Sequence, residues 1–217
     1  MNIEEQLRIA ARTLAQATAP VASGDNAWRQ RWLNLKKDAQ RLFTLIANAP
    51  AAADAPVETA LAKDAWNWLK ENPRTLRNAI LEIDDRLADL MELPQCACGE
   101  AATCPRVVAI AQGLLPALDF TWQPDAFLLF LTAYQEFRPL QSNEVWALPA
   151  ALKLAILQQL IPAAERLLTG QADAQDVARV PALMAALQAL GVAAFTELLE
   201  PLLPVEHGGD RPIWSLA

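Results

Sequence analysis

From Val145 to Ile161 the chain reads VWALPAALKLAILQQLI, apolar on almost every side of a helix, with Lys153, Gln158 and Gln159 its only strongly polar side chains. A helix of that kind has to be surrounded, because each apolar face left in water forfeits the main driving force of folding. Trp146 to Ala164 and Pro181 to Phe195 are the stretches nearest to a membrane span. The first carries the three polar side chains inside it, and the second falls short of the roughly 20 residues a bilayer needs. Both are read as buried helices, the first at the centre of the fold.

The surrounding sequence supplies helices to cover it. Ile3, Leu7, Ala10 and Leu14 recur at helical spacing until Ala19-Pro20 and Ser23-Gly24-Asp25 end the run. Trp28, Trp32, Leu35, Ala39, Leu42 and Ile46 step by fours and threes down one face of a second helix, with Asp25 or Asn26 as its cap. Ala47 to Ala55 is a small-residue loop, and a third helix from Val57 carries Trp66 and Trp68 up to Asn72-Pro73, where a break or kink belongs.

Arg74 to about Leu93 is the cleanest amphipathic helix, with Leu76, Ile80, Ile83, Leu87 and Leu90 on one stripe and the acidic residues mostly off it. Pro94 to Pro105, PQCACGEAATCP, breaks the pattern as a loop. Helices then run from Arg106 to Leu115 and from Pro124 to Pro139, where Phe127, Phe130, Leu131 and Tyr134 face inward. Ser142 or Asn143 caps the central helix, and two more follow near Asp173–Leu190 and Val192–Leu203. No strand pattern of comparable length competes. The fold class is therefore all-α, a bundle or array of about seven to nine helices. One domain over 1–205 is favoured, with 1–93 and 105–205 as the alternative halves and 206–217 as an irregular tail.

Charge bears on partners. A net charge of −7 argues against nucleic acid, which needs clustered Lys and Arg, and against docking to anionic lipid headgroups. Hydrophobic residues at 53% against 20% charged leave apolar surface for a partner or for self-association. Glu4 and Glu5 stand where a secretion signal is basic, and the three Cys lie in one loop as an odd number, so reduced thiols in the cytoplasm are expected.

Three blocks carry a family likeness: AWNWLKENPRTLRNAILEI from Ala65, PRVVAIAQGLL from Pro105, and FLLFLTAYQEFRPLQSNEVWALPAALKLAILQQL from Phe127 to Leu160. In order and spacing they resemble the helical segment that precedes the membrane glycosyltransferase of cyclic β-1,2-glucan synthases. That family has a WLLDN-type helix, a PRV start and an AYQ…PL…E.WALP block. Family members often have Thr where Gln141 stands, which weakens the reciprocal cap with Glu144, and Asn143 replaces a Gly-like turn. The resemblance implies a setting beside a transferase that uses an activated glucose donor, with a phosphorylase-like glycoside hydrolase domain beyond. It spans Asp64 to Leu160, and after VEHGGDRPIWSLA no such domains follow, so a fragment, a truncated frame or a stand-alone relative is expected.

Motifs for chemistry are sparse. Cys96-x-Cys98-x5-Cys104 offers three thiolates to zinc with His207 as a distant fourth ligand, but common zinc modules repeat C-x2-C pairs, and no metal is expected. Asp84, Asp85 and Asp89, or Asp119 with Asp125, supply carboxylates of the kind glycoside hydrolysis uses, yet adjacent carboxylates on a helix face are ordinarily solvated surface. Tyr134, Trp146 and Trp122 are candidates to stack on sugar rings, against the commoner role of aromatics in a core. Arg106 and Tyr134 are expected to hold polar contacts and Glu144 to serve its helix start. No phosphate loop or Ser-His-Asp arrangement is present.

The sequence thus predicts a non-catalytic, cofactor-free helical accessory module, cytoplasmic or at the cytoplasmic face of the inner membrane. Its expected partner is a membrane glycosyltransferase or glucan. An independent helical protein that binds a partner helix or glucan through an aromatic groove is the alternative.

Overall fold

A computed structural model describes residues 2–21, 27–51, 59–98, 103–192 and 195–204. Nine α-helices stand among the described residues, and the protein is all-α with one small sheet. The first helices are α1 (Ile3–Ala17), α2 (Ala27–Asn48), α3 (Ala60–Glu71) and α4 (Pro73–Glu92). They are followed by α5 (Arg106–Ala117), α6 (Pro124–Gln135), α7 (Ser142–Leu168), α8 (Ala174–Val192) and the short α9 (Phe195–Leu199), which leads into a 3-10 turn, Glu200–Leu202. Asp25, Asn26, Val57 and the tail 206–217, His207 included, lie outside the described residues.

The apolar run forms the centre, as its sequence demands. α7 packs against α8, α5, α4, α2 and α3. Leu148, Leu152, Leu154, Ile156, Leu157 and Leu160 are essentially solvent-free. Each such side chain contributes about 1.5–3 kcal/mol relative to leaving it in water. That burial outweighs the helix bonds lost at Pro149 and Pro162 inside α7. By length and composition α7 would also cross a membrane, and 67% of its most apolar window is buried inside the array. Lys153, its one cation in this stretch, is buried and ends on Glu82 of α4.

Local chemistry sets the boundaries. Thr59 accepts a hydrogen bond from the Ala62 backbone N–H at 3.1 Å and starts α3. Asn72 leaves the helical region at ψ 34°, so Pro73 breaks the chain into two helices and opens α4. α7 ends where Gly170 turns left-handed at φ 72°, with its N–H on the Leu167 carbonyl and that of Gln171 on Arg166. Gly113 lets α1 approach α5: a Cβ there would stand 2.8 Å from the Leu14 Cδ2 atom.

The stretch Pro94–Pro105 departs from the expected loop. Strands β2 (Gln95–Ala97) and β3 (Thr103–Pro105) pair antiparallel, and β1 (Pro20–Val21) adds to the other edge of β2. Each strand is too short to show alternation, so nothing in the sequence announces it. The sheet ties the α1–α2 connection to the α4–α5 connection.

Asp176 at the start of α8 takes both Arg166 Nε and Nη2 at 2.6 Å, and its backbone N–H is held by Asp173. The hydrogen bonds and charge of Arg166 hold its carboxyl below the ordinary value of 3.8, against the opposing effect of burial. A depressed folded value means the stabilisation is fully present above the unfolded value and is lost as pH falls through the folded one. Asp176→Asn is therefore expected to lower stability by about 1 kcal/mol near neutrality, since the Arg166 side chain is partly in water, and by progressively less in acid. Urea midpoints measured from pH 7 down to pH 2 check this, and a constant difference across that range would contradict it.

Candidate functional site

Three helix ends and one loop meet behind α7. Arg106 is the first residue of α5, Glu144 lies in the first turn of α7, and Tyr134 sits near the end of α6. Arg106 donates from Nε to Glu144 Oε1 at 2.8 Å, from Nη2 to Glu144 Oε2, and from Nη2 to the Pro139 carbonyl at 3.3 Å. The fork-on-fork geometry is the strongest arrangement available to an Arg–carboxylate pair. Burial alone would lower the Arg106 guanidinium, but the hydrogen bonds and charge of Glu144 outweigh it and raise it.

Glu144 does a second task. Its Oε2 accepts the Gln141 backbone N–H at 3.0 Å, and its own N–H goes to Asn143 Oδ1. The carboxylate half of the helix-start cap is therefore in place with Gln141 at the cap position. Tyr134 extends the cluster toward α1. Thr18, the residue ending α1, gives its hydroxyl hydrogen to the Leu14 carbonyl at 2.8 Å, so the Tyr134 hydroxyl, 2.5 Å away, donates to Thr18 Oγ1. Burial pushes the Tyr134 phenol up. Arg138 completes the tie by donating from Nε to the Ala15 carbonyl at 2.7 Å, a cation at the negative end of α1.

This centre is closed. Tyr134 and Glu144 have no solvent exposure and Arg106 is 4% exposed, so none of the three stands open to a sugar or partner: Arg106 and Glu144 have spent their polar groups on each other and on backbone, and Tyr134 has spent its hydroxyl on Thr18. Of the five residues nominated from sequence, only Trp146 stands open, at 43% exposure. Trp122 is half-buried between Phe127, with ring centroids 5.1 Å apart, and Phe195 at 6.1 Å. Tyr134, fully buried, lines no open groove with the two Trp.

The carboxylate candidates disperse as well. Asp84 accepts from Trp32 Nε1 at 2.8 Å and Lys36 Nζ at 3.0 Å, which makes it a clamp between α2 and α4. Asp119 is one of two consecutive residues with positive φ in the turn after α5, and Asp125 lies in the first turn of α6. Two shallow hollows of about 520 Å³ each are found. One, between α2 and α7, is lined by Arg41, Thr44, Glu165 and Arg166; Arg41 pairs with Asp38 and stands 3.5 Å from Glu165 Oε1, and Arg166 pairs with Asp176.

The thiols are not the reduced loop residues expected. Antiparallel pairing sets Cys96 opposite Cys104, and Cys98, two residues on, faces the same side; its Cα is 5.9 Å from that of Cys104, and the two form a disulfide. That separation is within the range a disulfide spans. Cys96 remains a free, buried thiol, pushed up to about 11 because burial disfavours its thiolate more than Arg106 favours it.

Fold and centre together define an all-helical array pinned by a buried ion pair and carrying a thiol-bearing hairpin. No protein-family model matches the chain, and comparison with curated proteins returns no match.

Proposed function

We propose that the chain is a non-catalytic helical accessory module of the kind that precedes the transferase of cyclic β-1,2-glucan synthases, seated at the cytoplasmic face of a membrane enzyme that it supports through apolar surface. One observation carries the reading. The resembling blocks, PRV, AYQ and E.WALP, contribute Arg106, Tyr134 and Glu144, and these are the residues that meet in the buried centre. A likeness concentrated on the residues that define a fold supports kinship of the fold and says nothing for catalysis in a cleft. Trp146 and Phe137, both more than two-fifths exposed, offer apolar surface on the outside of the same region.

The exposed indole of Trp146 also sustains a second reading, in which a glucan stacks on it directly. The two separate in one experiment. Purified chain is titrated with β-1,2-linked glucan while Trp fluorescence is followed, and is then mixed with the purified transferase portion of a cyclic β-1,2-glucan synthase and sized by light scattering. The accessory reading expects no saturable fluorescence change and a complex with the transferase that Trp146→Ala weakens. A saturating shift without a complex would overturn it in favour of sugar binding.

A further inference from the structure

The three sulfurs of Cys96, Cys98 and Cys104 lie within 4.8 Å of one another. A disulfide uses two of them and gives no reason for the third. Yet the register of β2 and β3 sets all three on one face of the hairpin, with Cys96 and Cys104 buried and Cys98 half-exposed. Three thiolates about 2.3 Å from a shared ion would stand roughly 3.8–4.0 Å apart, so once their bond is opened the Cys98 and Cys104 sulfurs need to part by about 2 Å, while Cys96 already lies close to both. The two buried sulfurs sit on paired strands, while Cys98 opens toward water and gives an ion a way in. Thiolate ligands select soft or borderline d10 ions over hard ones.

We propose that the reduced hairpin is a zinc-binding site in which Cys96, Cys98 and Cys104 supply three thiolates and water the fourth ligand, and that the Cys98–Cys104 disulfide is its closed, metal-free form. Two small thiols of the glutathione class open it. The Cys98–Cys104 S–S bond breaks, both cysteines gain a proton and an electron pair is accepted from the reductant, which leaves as its own disulfide. Zn²⁺ then displaces three protons as three Zn–S bonds form. The disulfide of the same small thiol reverses this: it accepts the electron pair from Cys98 and Cys104 and leaves as two thiols, the S–S bond re-forms, Cys96 is reprotonated, and the ion is released with three protons taken up overall. The proposal is independent of the glucan-synthase reading.

The test uses the full chain, reduced with dithiothreitol and desalted anaerobically, beside the same chain with its disulfide intact. Zn²⁺ is titrated calorimetrically, and Cd²⁺ is added as a spectroscopic probe of thiolate-to-metal charge transfer. Expected are about one ion per reduced chain, the charge-transfer band, proton uptake by buffer, and no binding to the oxidised chain. Cys98→Ser changes only the half-exposed ligand and spares the core, and Cys96→Ser removes the ligand that the disulfide does not use; each is expected to weaken binding at least about tenfold. Reduced protein that binds no ion, or a Cys98→Ser chain that keeps its circular dichroism and binds as tightly as the unaltered one, overturns the proposal.

Discussion

Glu144→Ala will cost about 3–5 kcal/mol of folding stability, because it strands the buried Arg106 guanidinium without its partner. That is a large share of the 5–15 kcal/mol a domain typically holds, so the variant will be near the edge of folding. Arg106→Met should do comparable damage by stranding Glu144. The pair Arg106→Met with Glu144→Leu is the informative case. Two apolar side chains of similar volume remove both charges, so most of the loss should return. It will not all return, since the Gln141 N–H and the Pro139 carbonyl lose their partners. Urea midpoints of the unaltered protein, Arg106→Met, Glu144→Leu and the pair, compared as a double-mutant cycle, give the coupling directly. Additive losses would mean that the two side chains do not depend on each other.

The second large effect belongs to Trp32. Its indole is 2% exposed on the inner face of α2, and its N–H is held by Asp84. Trp32→Ala should cost about 3–5 kcal/mol through lost burial and the cavity left behind. Trp32→Phe keeps most of the apolar volume and removes the N–H, so about 1–2 kcal/mol is expected. Thermal or urea unfolding of both variants separates packing from hydrogen bonding. Equal losses would place the whole contribution in the Asp84 contact.

Much of this architecture was legible because helices write their own periodicity. The continuous apolar run called for a surrounded helix, and α7 is that; Asn72-Pro73 called for a break or a kink, and it is a break, where α3 stops. Inward-facing Phe127, Phe130, Leu131 and Tyr134 followed from spacing alone, and all four are buried. What stayed hidden depends on contacts between distant parts of the chain. Thr18 meets Tyr134 across 116 residues, and nothing near Thr18 signals it. Asp84 looks like surface on its own helix and becomes a clamp only when α2 arrives with Trp32 and Lys36. The hairpin escaped for another reason: three-residue strands carry no alternation, and pairing register, not sequence spacing, decides which cysteines meet.

The long reach of the α1 contacts has a consequence for the order in which the protein is made. α1 docks on α6 through Thr18 and Tyr134, and Arg138 closes on Ala15 across 123 residues. At about 5–20 residues per second, a ribosome takes on the order of 6–25 seconds to supply that partner after α1 has been made. Until α5 and then α6 have been made, the apolar face of Leu7, Ala11 and Ala15 has nowhere native to go, which makes the newborn α1 a segment on which holding factors would act.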